Sequence, residues 1–141
     1  MRFTWSPDQL EFPRFPQTFE LRSVDGYYRI VLKYLQNLWE DISPLYSDLS
    51  QDTPVHGAIF TGIVKSFSHF WMTKQHYGAA TAHRGRSSRY AYMDGRVPVE
   101  IQHVFQASQE FHLGEPQVAN FAVVQRFLRG NDIPEFPWQL R

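Results

Sequence analysis

Six histidines are the side chains in this sequence best suited to acid–base or metal chemistry, and their spacing gives them no shared task. His69, His76 and His83 recur every seven residues, which on a helix puts no two within one turn. No HExxH pair occurs, and there is no cysteine to supply a thiolate ligand or nucleophile. The serines lack the GxSxG and SxxK settings that activate a hydroxyl. Glu40 and Asp41 are adjacent, so on a helix they point about 100° apart and cannot work as a facing acid–base pair. No glycine-rich phosphate loop or dinucleotide fingerprint is present. The expectation is a non-enzymatic protein with no metal, no cofactor and no small-molecule substrate.

Charge offers a different chemistry. The chain is formally neutral, yet residues 1–60 carry eight acids against five bases. Residues 74–96 reverse that balance: Lys74, Arg84, Arg86, Arg89 and Arg96 face Asp94 alone. A neutral protein with one basic segment attracts polyanions at a patch rather than over its whole surface. Arginine grips phosphate bidentately, and Tyr77, Tyr90 and Tyr92 offer stacking faces beside it. The plainer reading is a solvated hairpin loop with incidental arginines, since no RNA-binding motif accompanies them. The five basic residues are the expected contacts for RNA or an anionic lipid surface.

The elements that must position this segment are legible to different degrees. Residues 1–16 form a proline/aromatic arm: Pro7, Pro13 and Pro16 break regular structure between Phe3, Trp5, Phe12 and Phe15. Residues 131–141 form a similar tail with Phe136 and Trp138. These six aromatics are candidates for self-association, with packing on the chain's own domain as the plainer alternative. Residues 17–24 alternate as a half-buried strand with Phe19 and Leu21 inward. Residues 25–42 carry apolar side chains at helical spacing, with Ser23 or Asp25 as cap and Pro44 as stop.

A second helix is expected over 54–71, opened by Thr53-Pro54, and a third over 116–129, closed by Gly130. For 116–129 the alternative is a strand with Ala119, Phe121 and Val123 inward. Between them, 89–93 and 96–101 flank Asp94-Gly95 as a hairpin, with Pro98 marking an edge strand or an outward-facing nitrogen. The fold class expected is therefore α+β: a small antiparallel sheet packed against two or three amphipathic helices, in one domain over 17–130. No stretch reaches transmembrane length, and the first residues lack the continuous apolar run of a signal peptide. The absence of cysteine suits a reducing compartment.

Two short motifs carry a family resemblance. Leu38-Trp39-Glu40-Asp41 ends the first helix, and Tyr90-Ala91-Tyr92-Met93-Asp94-Gly95-Arg96-Val97-Pro98 lies in the β region. With the element order between them, over roughly residues 17–128, the chain resembles the rhabdovirus matrix proteins. The chain lacks the lysine-rich N-terminal tail and the PPxY or PTAP budding motif usual there. The resemblance implies a viral structural protein that self-associates and contacts nucleocapsid RNA or protein, or an anionic membrane. Its place would be the virion, the host cytoplasm or the inner face of the host membrane. A second likeness, Gly26-Tyr27 followed by Lys33-Tyr34-Leu35-Gln36, is similar to a geminivirus silencing-suppressor helix. It implies the alternative, a small viral RNA-binding or host-interaction protein.

Overall fold

The structure, a computed structural model, describes residues 10–48, 57–72, 75–81, 89–93, 97–112, 114–126 and 138–139. They form β1 (Leu10–Glu11), β2 (Gln17–Glu20), a 3-10 turn (Leu21–Ser23), α1 (Tyr27–Leu38), β3 (Leu45–Ser47), β4 (Ala58–Phe60) and β5 (Ile63–Phe67). Then come β6 (His69–Met72), β7 (Gln75–Gly78), β8 (Tyr90–Met93), β9 (Val97–Gln109), β10 (Gln117–Arg126) and β11 (Trp138–Gln139). Among the described residues α1 is the one α-helix. This overturns the expected sheet with two or three helices: the protein is mainly β.

Both misplaced helices have one physical cause. Where a helix was expected over 54–71, the described part holds β4, β5 and most of β6. Inward residues there are Ala58, Phe60, Val64, Phe67 and Phe70. Val64 joins one core and Phe67 the other. An odd spacing in a strand puts two residues on opposite faces, and at these two positions both faces are covered. The result copies a helical period. In β10, Phe121, Ala122, Val123 and Val124 are all buried for the same reason. The strand alternative for that segment, with Ala119, Phe121 and Val123 toward one core, is what forms.

β9 organises the molecule. β10 pairs antiparallel with nearly its whole length, while β8 takes the first part of its other edge and β5 a later part. β2 lies outside β5, and β11 outside β10. Register shifts where Val123 pairs with His103 but Val124 pairs with Ile101. Gln102 is the extra residue of this bulge, which reverses the parity of β9. Ile101 and Val104 therefore share one core, while Phe105 lies in the other.

The first core packs α1 on the sheet. Tyr27, Val31 and Leu35 are buried at four-residue spacing, and Trp39 continues the stripe. Burying each Val or Leu contributes about 1.5–3 kcal/mol. Gly26 at φ 81° occupies the N-cap, so neither Ser23 nor Asp25 caps the helix; the Ser23 hydroxyl donates to the Glu20 carbonyl at 2.7 Å. The short parallel pair β3–β4 covers the helix's flank. There Tyr28 stacks on Phe60 and donates to its carbonyl at 2.6 Å. Gly62, at φ 88°, lies under the Tyr28 ring and accepts from the Leu21 N–H at 2.9 Å.

The second core lies on the opposite face of the large sheet, against the smaller sheet β1–β6–β7. Phe12 stacks on Phe67 at 4.4 Å between ring centres, and β1 pairs with β6. The described end of the N-terminal arm thus packs on its own domain. This second layer covers only part of the face. Thr18, Lys65, Gln106 and Asn120 form one cross-strand row beyond it, and Glu20–Ile63 and Ser108–Val118 form the next. Six of these eight residues are exposed and the two amides are half-buried.

Candidate functional site

The basic segment is built around one residue of β9. The Ala80 N–H donates to the Ile101 carbonyl, and the Ile101 N–H donates to the Arg89 carbonyl, both at 2.7 Å. The Thr81 hydroxyl donates to the Gln102 carbonyl at 2.9 Å. The residues on either side of 82–88 are therefore held against the same pair, Ile101 and Gln102. Arg84 and Arg86 belong to the intervening stretch, 82–88, which lies outside the described residues.

Lys74 and Arg96 also lie outside them. Their described neighbours stand apart from the anchor: Gln75 is five positions from Ala80, and Val97 four from Ile101. At about 3.3 Å per residue these are roughly 17 and 13 Å of strand. The five basic residues of the sequence reading thus attach to the sheet at three separated places.

Arg89 is the described member of that set, and it is tied inward. Its Nε donates to Glu100 Oε2 at 3.0 Å, and its guanidinium lies 4.3 Å over the Tyr90 ring while bonding the Tyr90 hydroxyl. Glu100 Oε1 accepts from Gln102 Nε2 at 2.6 Å, and the same amide reaches Gln125 Oε1 at 3.3 Å. The network runs from Arg89 across β9 to β10. Tyr90 is 49% exposed with the Arg89 guanidinium over its ring. Position 89 was visible in the sequence; its partner was not. The missed signal lay in the hairpin expected around Asp94-Gly95, because β8 pairs Tyr90 with Glu100.

Next to this network, Tyr27 Oη and His103 Nδ1 are 2.8 Å apart beneath the start of α1. Phe19 and Phe105 flank the imidazole. Burial disfavours both charged forms, pushing His103 down to about 4 and Tyr27 up to about 12. Both are neutral at pH 7. The two residues are 76 apart in sequence, so no local pattern announces them.

The remaining candidates separate in space. His69 and His76, assigned no shared task as helical residues, meet across the β6–β7 hairpin with ring centres 5.2 Å apart, and Trp71 packs on both. Among the described residues no group of three or more metal-ligating side chains occurs. A groove of about 360 Å³ lies between β4 and the end of β9; its titratable lining, Glu110 and His112, is exposed. Of the aromatics expected to self-associate, Phe12 is spent on Phe67, whereas Phe15 is 90% exposed. The backbone of Trp138 pairs with Ala122 in the chain's own sheet. Phe3, Trp5 and Phe136 lie outside the described residues. Compared with protein-family models, with curated proteins and with solved structures, the chain matches none.

Proposed function

We propose that this is a non-catalytic binding and assembly protein that takes RNA at the arginine stretch 84–86 and associates with copies of itself. One observation carries the RNA reading: the residues flanking that stretch, Thr81 and Arg89, are hydrogen-bonded to the neighbouring pair Gln102 and Ile101 of β9. Fixed ends lower the entropy lost when a loop closes on its ligand. Arg84 and Arg86 supply the phosphate contacts. Arg89 is held by Glu100 beside that stretch and serves as a positioning residue. A matrix-like role in a virion, in line with the motifs at 38–41 and 90–98, is one setting for such a protein.

The test is fluorescence anisotropy with a labelled single-stranded RNA, beside flotation on phosphatidylserine vesicles. The double variant Arg84→Ala/Arg86→Ala should lose RNA binding while keeping its fold by circular dichroism. Vesicle binding without RNA binding would replace RNA by lipid. Unchanged RNA binding in the variant would refute the assignment.

A further inference from the structure

The outward face of the smaller sheet carries a cluster of rings that lies outside both cores. Register in the β6–β7 hairpin sets His76 opposite Trp71 and His69 opposite Gly78. His69 and Trp71, two apart on β6, share a face, and His76 joins them from the neighbouring strand. The alternate residues, Phe70, Met72 and Tyr77, turn the other way into the second core. All three outward rings are half-buried. The Trp71 ring centre lies 4.8 Å from His69 and 5.5 Å from His76, and the two imidazole centres are 5.2 Å apart. The seven-residue interval that separates these histidines on a helix brings them together across a tight hairpin.

We propose that His69 and His76 form a two-histidine site for a first-row divalent metal ion that favours imidazole: Cu²⁺, Ni²⁺ or Zn²⁺. Metal–nitrogen bonds of about 2.0–2.1 Å put the ion roughly 3.2 Å from each ring centre, and a tetrahedral angle then separates the centres by about 5.2 Å. The observed separation is 5.2 Å, so the rings stand at the spacing of a chelating pair. The Ser68 hydroxyl lies 2.7 Å from His69 Nδ1. By accepting from Nδ1–H it favours the tautomer whose Nε2 lone pair can ligate, and such a partner also orients the ring. Ser68 is itself fixed, its carbonyl accepting from the Ala79 N–H at 3.0 Å. Exposed Glu11 pairs with Trp71 from β1 and adds a negative charge to the same face, which favours a cation. Two protein ligands leave the remaining coordination positions to water, so the site is open rather than a closed structural centre.

The experiment is titration of the full chain with Cu²⁺ and with Zn²⁺. Competition with a chromophoric chelator reads the affinity, and tryptophan fluorescence, which Cu²⁺ quenches at short range, reads the position. Wild type should bind a first equivalent of either ion, Cu²⁺ more tightly than Zn²⁺. His69→Gln and His76→Gln, each checked for fold by circular dichroism, should raise the dissociation constant of that equivalent at least about tenfold. Ser68→Ala should give a smaller loss, and His112→Gln, at an exposed histidine beside the groove at β4, should give none. Trp71→Phe should keep the binding but lose most of the Cu²⁺ quenching. Wild-type affinity in both histidine variants, or undiminished quenching in Trp71→Phe, would put the metal elsewhere and overturn the site. Failure of the wild type to bind either ion would overturn it as well.

Discussion

Acidification should destabilise this fold through His103 in a defined window. The ring lies under the first turn of α1, bonded to Tyr27 and flanked by Phe19 and Phe105, and its pKa is pushed down to about 4 by burial. The unfolded chain binds that proton near pH 6.5, so between about 6.5 and 4 the unfolded state holds more protons than the native state. Stability is complete above the unfolded value and falls as pH drops toward the folded one. A difference of about 2.5 units corresponds to roughly 3.4 kcal/mol. The ring is only partly enclosed, so solvent screening reduces this to about 1–2 kcal/mol. The hydrogen bond itself can survive, because the Tyr27 hydroxyl can turn from donor to acceptor; the cost is a cation placed beneath a helix.

The assay is urea unfolding at a series of pH values from 7 to 4, for wild type and His103→Gln. Glutamine keeps an acceptor for Tyr27 and does not titrate. The loss of stability across the window should shrink by about 1–2 kcal/mol in the variant. Equal pH slopes in the two proteins would refute the burial of a neutral His103.

Two further perturbations probe the packing. Gly62→Ala forces a side chain into φ 88° with its Cβ 2.7 Å from Tyr28 Cδ2, and urea unfolding should show a loss of about 1–3 kcal/mol. Phe12→Ala removes a ring stacked on Phe67 and should cost roughly 3 kcal/mol, whereas Phe15→Ala should leave stability within about 0.5 kcal/mol. Equal costs at positions 12 and 15 would contradict the arm's docking.

The sequence displays the elements that bury one side and conceals those that bury two. α1 has one dominant stripe, Tyr27–Val31–Leu35–Trp39, and its period is plain. The β8–β9 hairpin is plain because Asp94-Gly95 marks its turn. β5 and β10 meet the second core only at Phe67 and at Ala122 and Val124, so their two-residue alternation breaks off part-way along each strand. The bulge at Gln102 adds a parity change inside β9. As for the site, local composition singled out the basic segment, but the anchors at Ile101 and Gln102 and the Tyr27–His103 pair depend on long-range pairing. The row of Thr18, Lys65, Gln106 and Asn120 was hidden in the same way: it exists only once four strands are in register.

The salt dependence of RNA binding tests the central claim most directly. Each phosphate neutralised on a single strand adds about 0.7 to the slope of log K against log salt. Removing Arg84 and Arg86 together should lower the magnitude of that slope by about 1.4 and weaken binding at low salt. A slope and an affinity identical to wild type would contradict the account.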